Sequence, residues 1–316
     1  MKRLLLLLLL LGATAHAQNY PNRPIRVIVP FPPGDAADIL ARLIGSKASE
    51  RLGQQMVVEN RAGASGQIGM ALLKDAPADG YTIGVGQGGN MVVAPHTYKK
   101  LQYDPLKDFA PVALIATNYL AVIANANVPF KDAREMVAWA KANPGRLSLA
   151  TNGEGGFPHL AFEHFAAMAG FKFQHVPYKG ASQIAGDVIG GQVQLGIGAY
   201  TSMSPHVNSG RAKLIGVTND VKVPNKPELP LLADAAPGYD SRGWFGYVAP
   251  AGTPPEIVRT LNAEINRAMR QPDVSEKMVA AGLIIVTEPP EFFGKMLKTD
   301  YEKYGNLAKN IGFKPQ

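Results

Sequence analysis

The chain has 316 residues, no cysteine, 46% apolar and 18% charged residues, and a formal charge of +7. That length holds one large or two medium domains, and the missing cysteines exclude a disulfide framework and thiol chemistry. Basic residues are scattered and never run five together, so nucleic acid is not the expected partner.

Met1-Lys2-Arg3, the apolar run Leu4 to Leu11 and Ala15-His16-Ala17 have the order of a secretory leader, with cleavage expected after Ala17. The apolar run is too short to span a bilayer. The mature chain is expected to be exported, and periplasmic in a host with two membranes.

From Ile25 the pattern alternates. Ile25 to Val29 reads as a buried strand, Pro30-Phe31-Pro32-Pro33-Gly34 turns the chain, and Asp35 stands where a helix N-cap belongs, ahead of Ile39, Leu40, Leu43 and Ile44. Gln55 to Glu59 leads through Gly63-Ala64-Ser65-Gly66 into a helix at Ile68 to Lys74. Tyr81 to Val85 leads through Gly86-Gln87-Gly88-Gly89-Asn90 into a short helix at Met91 to Ala94. Three such units predict a parallel, doubly wound sheet whose Gly-rich loops lie at the ligand-binding edge. Val112 to Ala124 reads as one long strand passing into a second half.

There the alternation restarts. Helices are expected at Lys131 to Ala142 with Asp132 as cap, at His159 to Ala169 with Gly170 as left-handed terminator, at Ala181 to Gly190 and at Ser202 to Ser209. Strands are expected at Leu147 to Ala150, Phe171 to Val176, Val193 to Ile197 and Leu214 to Thr218. Trp244 to Ala249 returns as a strand, and the remainder is mostly helix. The pattern fits an α/β clamshell of two halves, and also a single large α/β domain.

Several motifs point elsewhere and do not hold. Gly84-Val85-Gly86-Gln87-Gly88-Gly89 fits the dinucleotide fingerprint, but the expected acid after the next strand is missing, since Asp108 lies before that apolar run. His159 and His164 are five residues apart, about 140° around a helix, so they cannot share a face for a metal. No G-x-S-x-G occurs, and nothing assembles a nucleophile, base and orienting group. What remains is the repetition of Gly-rich, Ser/Thr-bearing loops ahead of helices, which offer free N–H groups and about half a positive charge each. That is the chemistry of anion binding, with no cofactor and no metal.

The residues also carry a family resemblance. Tyr20-Pro21, Arg23 to Gly34, then Asp38 and Ala41-Arg42 open it, followed by Val58 to Gly66, Asp79-Gly80-Tyr81-Thr82 and Tyr103-Asp104-Pro105. It continues through His159-Leu160, Val176-Pro177-Tyr178-Lys179-Gly180, Gly190 to Val193, Trp244-Phe245-Gly246 and Ala249 to Pro254. Over essentially the whole mature chain this resembles Bug-type extracytoplasmic solute receptors, the substrate-binding proteins of tripartite tricarboxylate transporters. The resemblance implies a two-lobed periplasmic-binding-protein fold (Venus flytrap, type II), each lobe a sheet flanked by helices, with two crossings. Lobe 1 would be 18–122 with 247–316, and lobe 2 would be 123–246.

It further implies a cleft for a small organic carboxylate. Lobe 1 would supply Phe31, Gly34, Asp35, Ala64, Ser65 and Gly66, with Gln87 and Gly88 on the same rim. Lobe 2 would supply Thr151, Gly155, Gly156, Phe157, Tyr178, Gly180, Ala181, Gly198, Ala199 and Tyr200, and His159 stands where it can line the cleft. The protein would be a monomer, not an enzyme, delivering its ligand to the membrane permease subunits. The alternatives are a ligand-presenting partner of a sensor and an exported α/β hydrolase or lyase.

Four departures from the family pattern bear on the ligand: Asp35 stands for a Gly, Gly156 for a Ser, Gln194 for an Asp and Gly198 for an Asp. Losing the last acid removes a partner for an amino group and is expected to enlarge the site. The expected ligand is therefore a carboxylate without an α-amine, bulky or aromatic and of dicarboxylate type, with Phe157 and Tyr200 as stacking faces. Asp35 is expected to cap its helix.

Overall fold

The computed structural model describes residues 20–178 and 180–315. The leader and its cleavage site lie outside the described residues, as does Lys179. Among the described residues no helix is long and apolar enough to cross a membrane.

Two mixed sheets carry the fold. The first has the order β11-β4-β10-β3-β1-β2, built from β1 (Ile25–Val29), β2 (Met56–Asn60), β3 (Thr82–Gln87), β4 (Phe109–Asn118), β10 (Gly243–Pro250) and β11 (Ile284–Ile285). The second has the order β7-β6-β8-β5-β9, from β5 (Leu120–Asn125), β6 (Ser148–Thr151), β7 (Gln174–Pro177), β8 (Leu195–Ala199) and β9 (Ala212–Val217). β1, β2 and β3 are parallel, as the first alternation predicts. The sheet becomes mixed because β10 returns from the second half and inserts antiparallel between β3 and β4.

Helices flank both sheets: α1 (Ala36–Leu52), α2 (Gln67–Lys74), the single turn α3 (Ala94–Thr97), α4 (Ala133–Ala142), α5 (Phe157–Ala169), α6 (Ala181–Ile189), α7 (Tyr200–Asn208), α8 (Pro255–Met269), α9 (Pro272–Ala280) and α10 (Pro290–Asn310). Their ends follow local chemistry. Asp132 Oδ1 accepts from Glu135 N at 2.9 Å, and Gly170 ends α5 in the left-handed region at φ 73°. The helix expected at Met91 to Ala94 is instead a π-helical turn, Gly89–Val93, running into α3.

The apolar run Val112 to Ala124 is two strands, not one. Tyr119 separates them, and its carbonyl accepts from Tyr200 N at 3.3 Å. Thr117 and Asn118, which end β4, are the polar residues at the point where the chain changes sheet. The break moves the boundaries predicted at 122/123 and 246/247. β5 pairs wholly with β8 and β9, and β10 wholly with β3 and β4. The chain therefore leaves the first sheet after Asn118 and returns to it by Gly243.

Each sheet packs apolar side chains on both faces. A cluster around Leu160, Trp244, Phe293 and Tyr304 joins α5 of the second lobe to α10 of the first. Phe157 extends it, with its ring 5.6 Å from Tyr304.

Candidate functional site

The first wall of the cleft grows from β1 and its turn. Asp35 caps α1, its Oδ1 accepting from Ala37 N at 3.0 Å, as expected from its position. One turn on, Asp38 is 3% exposed and ties the turn together. Its carboxylate accepts from Gly34 N, Arg42 Nε and Asn60 Nδ2, each at 2.9 Å, and Asn60 Nδ2 also donates to Phe31 O at 3.0 Å. Burial pushes the Asp38 carboxyl up, but the bonds from Arg42, Gly34 and Asn60 outweigh it and hold it below the usual range. The Phe31 to Asp35 turn is thus preset before any ligand arrives.

Beside it, Ala64 and Ser65 adopt left-handed backbone at φ 46° and 55°, between Gly63 and Gly66. Two non-glycine residues held there mark a constrained loop. It presents Ser65, whose hydroxyl lies 3.2 Å from Tyr98 OH. Behind this loop Asn90 is buried. Its Oδ1 accepts from Gln87 N, and its Nδ2 has no hydrogen-bond partner among the described residues.

The opposing wall is made of helix starts. Gly156 precedes α5, Gly180 precedes α6 and Ala199 precedes α7, and none of the three N-termini has a side-chain cap. Two stacked imidazoles hold the loop before α5, His159 and His175, with ring centroids 3.7 Å apart. Gly155 N donates to His159 Nδ1 at 3.0 Å. Thr151 Oγ1 donates to Gly153 O, so its 2.7 Å contact with His175 Nε2 has the imidazole as donor.

Burial pushes His175 down to about 4, with the neighbouring His159 adding to it. Burial does the same to His164, with Lys303 adding and Asp240 opposing. The unfolded chain, near 6.5, then takes up these protons first as pH falls. Stability from this source is complete above about pH 6.5, declines between 6.5 and 4, and is flat below. The expected result is a melting temperature that falls between pH 7.5 and 4.5, with the fall reduced in a His164→Asn/His175→Gln variant.

Both walls enclose a cavity of about 1150 Å³. Of the sequence-predicted residues, Phe31, Gly34, Asp35, Ser65, Gln87, Gly88, Gly155, Gly156, Phe157, Ala181, Gly198, Ala199 and Tyr200 line it. Ala64 and Gly66 shape the Ser65 loop from behind. Thr151 and His159 brace the Gly155 loop and are buried, so His159 supports the cleft without lining it. Tyr178 turns away to donate to Asp187 at 2.6 Å, and Gly180 serves as the residue before α6.

Two expectations about bulk change. A Cβ on Gly198 would lie 2.4 Å from Met203 Cε, so Met203 occupies the space the missing acid leaves and the cleft gains no room there. Phe157 packs over Gly88, where a Cβ would sit 3.4 Å from its ring, so part of that face is taken by contact between the walls. Gln194 is also accounted for locally. Its Oε1 accepts from Ser148 N at 2.9 Å, away from the cavity.

The structure adds wall residues the sequence reading missed. Asn118 and Tyr119 come from the crossing, Ile39 and Leu43 from the face of α1, and Lys277, Met278 and Leu283 from α9 and the turn after it. Ile39 and Leu43 read as core from their helical spacing, and residues 277–283 have no local motif. Asp35 and Lys277 are the charged side chains among the described residues of the wall. Among the described residues, no three His, Asp or Glu side chains are grouped to hold a metal.

Two mixed α/β lobes, crossed twice by the chain and closing helix starts around a cavity, define a periplasmic-binding-protein fold. The chain belongs to the tripartite tricarboxylate transporter family receptors, whose family model matches residues 40–313. It is 40% identical over 290 residues to the UPF0065 protein in the tcbD-tcbE intergenic region of Pseudomonas sp. (strain P51), covering 91% of this chain and 86% of that one. It is 31% identical to protein BugT of Bordetella pertussis, over 96% and 94% of the two chains. Among solved structures, R. palustris Rpa4515 with adipate aligns with TM-score 0.80 at 31% identity, covering 94% of this chain and all of that one.

Proposed function

We propose that the protein is an exported receptor that binds a small organic carboxylate between its lobes and delivers it, chemically unchanged, to the permease subunits of a tripartite tricarboxylate transporter in the membrane. One observation carries this reading. The starts of α1, α5, α6 and α7 face a single cavity from both sides, three of them without a side-chain cap, and no arginine lies among the described residues of the wall. Each start carries roughly half a positive charge with unpaired N–H groups, so together they neutralise a carboxylate as helix dipoles do. The adipate held by Rpa4515 is a ligand of this chemical class. Among the described residues of the wall the acid that could meet an α-amino group is Asp35, whose carboxylate already caps α1.

A thermal-shift screen of dicarboxylates, tricarboxylates, aromatic acids and amino acids tests the reading. A binding carboxylate at ~100 times its Kd stabilises by about 2.7 kcal/mol and is recovered intact after incubation. Stabilisation by free amino acids alone, or conversion of the ligand to product, contradicts it.

Asp35 gives a sharper check. Asp35→Ala is expected to lose about 1 kcal/mol of stability with the cap. Asp35→Asn keeps a capping oxygen, so its melting temperature stays near that of the natural protein. Removing a negative charge beside the ligand should tighten carboxylate binding several-fold by calorimetry.

A further inference from the structure

The segment that follows α10 carries one aromatic ring from the first lobe onto the second. Gly312 turns left-handed at φ 66°, Phe313 N donates to Ala308 O at 2.8 Å, and Gly312 N donates to Lys309 O at 3.0 Å. This pair of bonds closes the helix and fixes the direction of the residue after the glycine. The Phe313 backbone is therefore held by α10. Its ring joins the apolar cluster around Trp244 and Tyr304 and meets the His159 ring edge to face, with centroids 6.3 Å apart.

The ring ends on Gly155. A Cβ at that glycine would lie 2.6 Å from Phe313 Cζ and 3.3 Å from Thr97 Cβ, so two residues of the first lobe press on one residue of the second. Gly155 is buried, left-handed at φ 66°, and held from its own lobe by the bond from its N–H to His159. Gly155 and Thr97 line the cavity, and Phe313 packs on Gly155 from behind. Two residues further on, α5 begins, one of the uncapped helix starts. The brace from His159 travels with the second lobe. The brace from Phe313 and Thr97 exists only while the two lobes meet.

Resting on the carboxylate reading above, we propose that Phe313 is a positioning residue that latches the lobes together. With Thr97 it seats the Gly155 loop when the lobes meet, sets the start of α5 toward the ligand, and slows ligand release. It touches no ligand itself. Parting the lobes lifts the ring from Gly155 and exposes apolar surface on both sides, so the contact favours the arrangement seen here. Its effect falls on dissociation, because the contact forms after the ligand has entered.

Hydrogen exchange of the unliganded mature protein tests the seating without any ligand, at the Gly153 and Gly155 amides, both hydrogen-bonded here. Phe313→Ala is expected to speed their exchange about tenfold, and Phe313→Leu far less. Ile311→Ala, which removes packing from the same apolar cluster, should leave them unchanged. Stopped-flow binding of adipate, malate and benzoate supplies the second arm, read through Trp244 in the cavity wall. Phe313→Ala should release a bound acid about fivefold faster with association changed less than about twofold, and Phe313→Leu should restore most of the difference. Unchanged exchange in Phe313→Ala, or equal acceleration by Ile311→Ala, overturns the seating. A lower melting temperature with both binding rates unchanged makes the residue merely structural and overturns the positioning role. Failure of these acids and of the wider carboxylate screen to bind the natural protein overturns the receptor reading, whereas the exchange result decides the Phe313 contact separately.

Discussion

Replacing Asp38 by Ala is expected to lower stability by about 3 kcal/mol and carboxylate affinity by at least tenfold. The carboxylate is buried and accepts from Gly34 N, Arg42 and Asn60. Removing it strands a backbone N–H and one of the two N–H groups of the Asn60 amide, and leaves a guanidinium without its ion pair. Loss of one partner from such a network costs roughly 3–5 kcal/mol when fully buried. The figure here is reduced because Arg42 is half open to solvent. At about 2–4 °C per kcal/mol for a chain of this size, the melting temperature should fall by roughly 6–12 °C. Affinity falls for a different reason: the Phe31 to Asp35 turn is no longer preset, so the ligand must order it. Asp38→Asn, which keeps acceptors but not charge, should fall between the two. If Asp38→Ala melts with the natural protein, the turn is not held in this way.

Gly69→Ala is expected to be nearly as damaging, although the residue touches no ligand. A Cβ at Gly69 would stand 2.7 Å from Pro30 Cβ, 2.8 Å from Pro30 Cα and 2.9 Å from Arg61 O. Two of these are backbone atoms, so the clash cannot be relieved by a rotamer. α2 must move away from the end of β1, carrying the Ser65 loop outward from the Phe31 turn. Overpacking of this kind costs about 1–3 kcal/mol, and affinity should fall with it because two parts of one wall separate. Gly186→Ala is the control: a Cβ there meets nothing within 4 Å, and the helix should gain slightly. A Gly69→Ala protein with natural melting temperature and natural affinity would contradict the packing described.

Much of this architecture was legible because its signals are local. Asp35 and Asp132 cap the helices that their positions predict, and Gly170 takes the left-handed conformation its placement requires. The Gly-rich loops do converge on one cavity. The break at Tyr119 was marked only by Thr117-Asn118, and one polar pair inside an apolar run does not distinguish a strand end from a polar residue within a single strand. The roles of His159 and Met203 were hidden for another reason. Whether a histidine lines a cleft or braces its loop, and whether a glycine leaves space or yields it to a neighbour, depends on residues distant in sequence. The same holds for Lys277, Met278 and Leu283, which reach the cavity from near the end of the chain.

In the proposed function, helix starts from both lobes hold a ligand by its carboxylate charge. Calorimetry of matched pairs tests it, each carboxylate against the primary amide of the same skeleton. At least one carboxylate is expected to bind with one-to-one stoichiometry, its amide at least a hundredfold more weakly, and the difference to shrink in Asp38→Ala. Equal affinity for acid and amide, or no binding by any acid of the screen, would contradict it.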